Sequence, residues 1–339
     1  MFNKIYLKFK QFMKENYKFI IFLIVFYFVL TFPLPYYIYA GGGTINIDSR
    51  VEIEDSSNSS GSLNFAYVKE LKGNVASFIL GNIIPSYDVV KEEESKLTEE
   101  EDANDIYFRN QLYLNNANQT AIMLAYQKAG KKITIKDSHF YVIYVEDKLD
   151  NGLRVGDELI AIGGQKLDDV TAYTDFVNKS KVGDELTVTV NREGKEQDVI
   201  AKVREEGDRL VTGISIITIY DYVTDPKVEL NFKASEGGPS GGLMLTLAIY
   251  DKLIDEDLTN GLTIVGTGTI ASDGTVGEIG GVKYKLNGAV KAKADIFLVP
   301  KGDNYKEALK EKEANNYDIE IKAIGTFDEA VEYLENLDK

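Results

Sequence analysis

Glu236-Gly237-Gly238-Pro239-Ser240-Gly241-Gly242 runs without a break into the apolar stretch Leu243–Leu253. A glycine-rich turn that opens a helix gathers backbone N–H groups at one point, where an anion or a developing oxyanion can be held. Ser240 stands at that junction. Its type and place fit two roles: the N-cap of the helix, for which serine is favoured, and a nucleophile. Spacing alone leaves both open.

A nucleophilic serine needs a base. The 339 residues include no Cys and one His, His139. That excludes disulfides, a cysteine nucleophile and a thiolate or His-rich metal site, and any Ser-His-Asp triad would have to use His139. His139 reads as a loop residue just ahead of a strand. Gly238-x-Ser240-x-Gly242 matches the nucleophile elbow of α/β-hydrolases, but that arrangement needs a His after the Ser and none follows. A lysine can serve if burial or nearby positive potential brings its pKa toward neutrality. A second glycine-rich junction, Gly277-Glu278-Ile279-Gly280-Gly281-Val282-Lys283-Tyr284-Lys285-Leu286, also leads into a helix. Val282, Leu286, Ala289 and Val290 form its apolar stripe. Lys283 and Lys285 flank that stripe about equally, and periodicity does not choose between them.

Other chemistries fall away. Gly266-Thr267-Gly268-Thr269-Ile270-Ala271 fits a dinucleotide fingerprint, but the turn Ser272-Asp273-Gly274 follows it where a helix would be needed. Gly130-Lys131 and Gly194-Lys195 lack the Ser or Thr and the upstream Gly of a phosphate loop. No nucleotide, cofactor or metal is expected. A net charge of −16 disfavours nucleic acid as partner. The hydrophobic content of 44% is ample for cores, and the length suits about two domains.

The N-terminus reads as a membrane anchor. Residues 1–18 carry Lys4, Lys8, Lys10, Lys14 and Lys18 against Glu15, and Phe19–Ala40 has no charge. A helix of that length would span about 33 Å, with Tyr36, Tyr37 and Tyr39 as an aromatic belt. The basic tail would stay cytoplasmic and all beyond Ala40 would lie outside. A cleaved signal peptide ending at Ala40 is the other reading, but its apolar region is shorter. Without the lysines and the acid of this segment, the remainder has a balance of −20, which suits a solvated ectodomain.

Gly41-Gly42-Gly43 reads as a flexible joint, and Thr44–Glu54 and Ser62–Val68 as strands around a Ser/Asn-rich loop. Asn58-Ser59-Ser60 in that loop fits a glycosylation acceptor, a pattern short enough to arise by chance. The acidic run Lys91–Asp105 reads as a solvated loop or helix start, and Ile106–Gly130 as a helix. From about Asp137 to Val203 strands dominate: Phe140–Glu146, the turn Gly152–Asp157, Glu158–Ile162, a helix at Asp168–Asn178, and Glu185–Asn191 with a hairpin at Glu193-Gly194. The run GLRVGDELIAIGGQKL (residues 152–167), with the helix and strands after it, resembles a PDZ domain. In that family an extended peptide adds to a strand edge beside the helix. By resemblance the edge lies near Phe140, Tyr141 and Val142. Strands and helices alternate beyond Glu206: strands at Leu210–Tyr220 and Val228–Lys233, a helix after Ser240, and the strand Leu262–Thr269. A helix from Val282, the strand Asp295–Pro300 and a helix-strand-helix tail complete the chain.

Three segments, GGPSGGLMLTLAIYDKL (237–253), VGTGTIASDGTVGEIGGVKYKLNGA (265–289) and IFLVP (296–300), together resemble the proteolytic domain of Lon-type serine proteases. With the anchor and the PDZ unit, the chain resembles the membrane-anchored, PDZ-containing Lon-like proteases of Gram-positive bacteria. The resemblance implies an α+β fold: a Lon-type proteolytic domain with an inserted β-rich PDZ domain, preceded by one transmembrane helix. The expected parts are a cytoplasmic tail (1–18), the transmembrane helix (19–40), the first part of the protease domain (41–137), the PDZ domain (138–205) and the catalytic part (206–339). Carried over by motif, Ser240 is the nucleophile, and Lys285, four residues after IGG, is the general base, against Lys283. Thr267 orients the amine, and the backbone at Gly238, Pro239 and Ser240 holds the oxyanion. Some Lon proteases place an acid three residues before the Ser. Gly237 stands there, with Glu236 one step earlier, so no acid is assigned a role. The implied activity is ATP-independent cleavage of flexible exported peptides or small membrane proteins, in a chain that could form homo-oligomers. The competing reading is a non-catalytic PDZ adaptor.

Overall fold

The structure, a computed structural model, describes residues 2–54, 56, 59–84, 86–147, 151–233, 238–254 and 256–337. It divides into two units, Met1–Gly41 with Lys69–Ser95 and Gly42–Val68 with Lys96–Lys339, and the boundary falls inside two strands.

In the first unit, helix α1 (Phe2–Thr31) stops well short of Ala40. Pro33 and Pro35 have no N–H, and a residue ahead of proline is pushed out of the helical region. The chain turns extended as β1 (Pro33–Asn46). The transmembrane helix expected over 19–40 is corrected accordingly: its outer part is strand, and no helix among the described residues is long and apolar enough to cross a membrane. The expected glycine joint is strand as well. A Cβ on Gly42 would lie 1.9 Å from the carbonyl oxygen of Tyr67, so the bare glycine is what lets the backbones approach. After β2 (Val51–Ile53) and β3 (Ser62–Asn74) comes α2 (Val75–Ile83), closed at its start by an Asn74/Ser77 capping box. β4 (Asp88–Lys91) pairs antiparallel with the outer half of β1.

In the second unit, the end of the acidic run becomes a helix start. Asp102 accepts from the N–H groups of Asn104 and Asp105 and opens α3 (Ala103–Lys128). β5 (Lys132–Val145), β6 (Glu158–Ile162), β7 (Gln165–Lys166), α4 (Val170–Asn178), β8 (Glu185–Arg192) and β9 (Lys195–Lys202) follow. The short hairpin β10 (Arg204–Glu206) and β11 (Arg209–Val211) leads to β12 (Ile214–Asp225). The strand expected over Leu210–Tyr220 is split at Gly213, whose φ of +70° is open to glycine and costly to other residues. The sheet order is β12-β5-β6-β8-β9. Alternate residues of β8, Leu186, Val188 and Val190, join Phe140, Val142, Tyr173 and Val177 in one core. Buried Asp157 holds Arg192 through two N–H groups at 2.7 and 2.8 Å.

His139 ties this sheet together. Its Nδ1 lies 2.6 Å from Glu158 on β6 and its Nε2 3.4 Å from Asp221 on β12, and these carboxylates, Glu158 first, raise its pKa above the usual 6.5. A raised histidine pKa adds stability that is complete below the unfolded value and lost as pH rises through the folded one. Replacing it, His139→Asn, is expected to lower the melting temperature most near pH ~5.5 and least above pH ~8, in scans across pH. An equal loss at every pH would show that the ring acts by packing alone.

The last third of the chain begins with β13 (Val228–Leu230), paired with β2. There follow α5 (Gly242–Leu253), β14 (Thr263–Gly266), β15 (Thr269–Ile270), β16 (Val276–Gly277) and α6 (Val282–Lys291). β17 (Ile296–Pro300), α7 (Asp303–Asn315), β18 (Glu320–Ile324) and α8 (Phe327–Glu335) complete it. The sheet has the order β18-β17-β14-β3-β1, parallel from β18 through β3. Every residue of β17 is buried, as a parallel strand covered on both faces requires. All twelve residues of α5 are buried too, and Leu243, Met244, Leu247 and Ile249 share a core with Ala121, Ile122, Ala125 and Tyr126 of α3. Elements ahead of the PDZ-like sheet, β3 and α3, thus complete the layers around the last third of the chain.

Candidate active site

Three separate turns meet at the head of α5. A 3-10 turn, Pro239–Gly241, precedes the helix, and the cap residue is Gly241, with no side-chain capping bond. The N-cap role for Ser240 is therefore ruled out, and its hydroxyl is not committed to the helix. Its carbonyl oxygen is held twice, by the Gly268 N–H at 2.8 Å and the Thr267 hydroxyl at 3.0 Å. Gly242 lets α5 press on β15: a Cβ there would come 2.7 Å from the Ile270 side chain.

Thr267 is fully buried in the turn after β14, its N–H bonded to the Leu298 carbonyl at 3.0 Å. Its hydroxyl accepts a hydrogen bond from Lys285 Nζ at 3.1 Å while donating to Ser240. Lys285 lies one turn into α6, which starts at Gly281 in the left-handed conformation. It is 4% exposed, and burial lowers its pKa to about 8. Lys283 is only partly buried and lies over the ring of Tyr284, 4.8 Å from its centroid. The choice periodicity left open is made by burial: Lys285 faces Thr267. Ser240, Thr267 and Lys285 are joined in one hydrogen-bonded chain.

The oxyanion assignment needs one correction. Pro239 has no N–H and cannot donate. The N–H groups of Gly241 and Gly242 are used inside the turn, on the carbonyls of Gly238 and Pro239. Gly238 and Ser240 carry the donors outside those bonds. Glu236 and Gly237 lie outside the described residues, as does Asn58. Beside the turn a hollow of about 20 Å³ is lined by Phe65, Leu114, Ala117, Phe232 and Leu245. Sequence reading missed it, because its walls come from four separate stretches of the chain.

The expected peptide edge is also corrected. Phe140, Tyr141 and Val142 are interior to the sheet. On one side they pair with Thr218, Ile217 and Ile216 of β12, and on the other Phe140 and Tyr141 pair with Leu159 and Glu158 of β6. The edge strand is β12, and α4 packs at its start, where the Tyr173 hydroxyl meets Thr212 at 2.9 Å. Further along, α3 covers the edge: Asn116 and Gln119 donate to the Thr218 carbonyl, and Gln119 accepts from the Tyr220 N–H. Ile214–Ile217, at the start of β12, pair with β5 on one side and with no strand on the other among the described residues. The glycine turn Thr212-Gly213 ahead of it was the sequence signal.

Comparison with known proteins agrees with this layout. Residues 130–203 match the PDZ domain family, and residues 233–335 match the Lon protease (S16) C-terminal proteolytic domain. The Lon protease of Campylobacter jejuni is 36% identical over 97 residues, 28% of this chain and 12% of that protein. The serine protease Do-like HtrA of Lactobacillus helveticus is 40% identical over 57 residues, 17% of this chain and 13% of that one. The mitochondrial Lon protease homologue of Phaeodactylum tricornutum is 23% identical over 225 residues, 61% of this chain and 23% of that one. The chain thus spans less than a quarter of the length of each of these relatives. Among solved structures, the PDZ domain of an SdrC-like protein from Listeria monocytogenes is 21% identical, covering 25% of this chain and 93% of that one, with a TM-score of 0.22. Residues 233–335, which hold Ser240, Thr267 and Lys285, thus match a proteolytic domain of the serine-peptidase class, and the residues ahead of them match a PDZ domain.

Proposed function

We propose that the chain is an ATP-independent, membrane-attached serine endopeptidase that cuts exported peptides or small membrane and secreted proteins. The observation that carries the reading is the buried Lys285 amine, bonded to Thr267, whose hydroxyl in turn holds the Ser240 backbone. A lysine with its pKa near 8 is partly neutral under physiological conditions and can accept a proton. Ser240 Oγ attacks the peptide carbonyl as Lys285 takes its proton. The N–H groups of Gly238 and Ser240 meet the oxyanion, and Lys285 returns the proton to the leaving amine. Water, deprotonated by the same amine, releases the acyl group and restores Ser240. Thr267 is a positioning residue. The test is a serine-directed phosphonylating probe followed by peptide mapping. An adduct on Ser240 that Lys285→Ala prevents supports the dyad; adducts elsewhere, with Ser240 untouched, would remove it.

The hollow beside Ser240 has room for a group about the size of a methyl before its walls must shift, so small apolar side chains suit the position next to the cut bond. Mass spectrometry of a digested peptide library is expected to show Ala- and Val-like residues there. Leu114→Asp, which sets a charge in that wall, is expected to lower kcat/KM by about tenfold or more on such peptides. Cleavage indifferent to both would dissociate the hollow from specificity. Peptide ends are taken up along Ile214–Ile217 by strand addition.

Membrane attachment is assigned to the first unit. Phe19–Thr31 carries no charge and exposes Phe19, Phe22, Leu23, Ile24, Val25, Phe26 and Phe28, and α2 exposes Ile79, Leu80 and Ile83. An apolar surface around a whole helix is costly in water. The lysines of the tail favour the cytoplasmic face for the N-terminus. Deleting residues 1–31 is expected to move the protein from the carbonate-resistant membrane fraction to the supernatant. Recovery of the intact chain in the supernatant would refute attachment.

A further inference from the structure

We propose that a cleft of about 770 Å³ at the head of α3, away from Ser240 and from the β12 edge, binds a lysine- or arginine-rich stretch of polypeptide. Its walls come from the residues that open α3, the end of β5, the start of β6 and the turn joining β8 to β9. The volume is in the range of ligand sites. Three observations, of different kinds, point to the same chemistry.

The first is charge. Eight carboxylates and two guanidinium groups line the cleft. Glu101, Glu146, Asp157 and Glu158 are held by Arg109, Arg204, Arg192 and His139. Glu100, Asp102, Asp105 and Glu193 make no ion pair among the described residues, and Arg154 is the single base left against them. A concave surface of one sign raises the local concentration of opposite charge. The second is the aromatic wall of Phe108, Tyr141 and Tyr144, in which Phe108 and Tyr141 meet edge-on with centroids 6.4 Å apart. Ring faces attract ammonium and guanidinium groups and pack against their aliphatic stems. The third is Asn191. Its amide nitrogen donates to Glu158 at 2.9 Å, while its Oδ1 is shielded and has no donor among the described residues. Such an acceptor carries an unmet hydrogen bond in the wall of the cleft. The acidic run thus has a use beyond solvation: its last residues form one side of a cation-selective cleft.

The ligand is a basic stretch of chain rather than a free polyamine, a choice that rests on the peptidase reading. The test uses the full-length protein with Ser240→Ala, so that binding is read without cleavage. A fluorescent peptide of alternating Lys and Ser is titrated by anisotropy, beside one with Glu in place of Lys. The Lys peptide is expected to bind, and to weaken with salt; the Glu peptide is not. Glu193→Lys is expected to weaken binding by about tenfold and Tyr144→Ala by several-fold. Glu205→Lys, on exposed β10, is expected to leave it unchanged. Equal effects of Glu193→Lys and Glu205→Lys would reduce the effect to overall charge and overturn the site. So would equal binding of the two peptides, or competition by spermine as effective as by unlabelled peptide. Binding of the Lys peptide by a wild-type protein that fails to cleave would uphold the cleft and strike the peptidase reading alone.

Discussion

Ser240→Ala is expected to lower peptide cleavage by at least about a thousandfold while leaving the fold unchanged, because in the proposed mechanism nucleophile and base act as one unit. Both halves follow from the geometry of the turn. What Thr267 and Gly268 hold is the carbonyl of Ser240 and not its side chain. The hydroxyl caps no helix, since the cap of α5 is Gly241. Alanine fits the 3-10 turn, so thermal unfolding should shift by no more than about 0.5 kcal/mol, as for a substitution away from any structural feature. Cleavage is measured as kcat/KM on the best peptide from the library, without nucleotide. A variant retaining about a tenth of the wild-type rate would place the nucleophile elsewhere. A large loss of stability with the loss of activity would mean that the hydroxyl had a structural role after all. The same variant separates a protease from a PDZ adaptor, for which the hydroxyl is dispensable.

How much of this could be read from the sequence depended on how local the deciding interaction was. The turn into α5, the helix from Val282 and the strand Ile296–Pro300 rest on periodicity and glycine placement within one short stretch, and they stand with small changes of boundary. The choice of Lys285 over Lys283 did not follow from the pattern of α6, because both flank its apolar stripe; it came by resemblance. Burial against the Thr267 turn, some twenty residues away in sequence, is what distinguishes them. The peptide edge was misplaced for a similar reason. Phe140–Val142 looks like an edge strand only while β12 is ignored, and β12 returns to pair with it after more than seventy intervening residues. The hollow at the active site is of the same kind, joining β3, α3 and the approach to Ser240. Two errors were avoidable. The missing N–H of Pro239 and the effect of Pro33 and Pro35 on a helix follow from residue type alone.

Lys285→Met is expected to abolish cleavage and yet to stabilise the protein. The amine is 4% exposed and makes no ion pair among the described residues, so burial is what brings its pKa from 10.5 to about 8. The sign follows from proton counting. Between about pH 8 and 10.5 the unfolded chain keeps the lysine proton that the folded chain has released, so stability rises with pH across that window. Below pH 8 both states hold the proton, and the folded one bears the full cost of a desolvated ammonium, on the order of 3 kcal/mol. Methionine has a similar length, fills the same space and carries no charge to desolvate. At pH ~7 the variant should therefore unfold at higher denaturant than wild type, and the gap should close as pH passes ~10. Activity of the wild-type enzyme should climb over the lower part of the same range, as the neutral amine becomes the major form near pH 8. Denaturant unfolding at several pH values, set beside a pH profile of kcat/KM, reads both. A variant less stable than wild type at neutral pH would mean that the Lys285–Thr267 hydrogen bond outweighs desolvation. An activity midpoint at the pH where the stability curve begins to rise would tie both to one proton on one buried lysine, the base that the proposed mechanism requires.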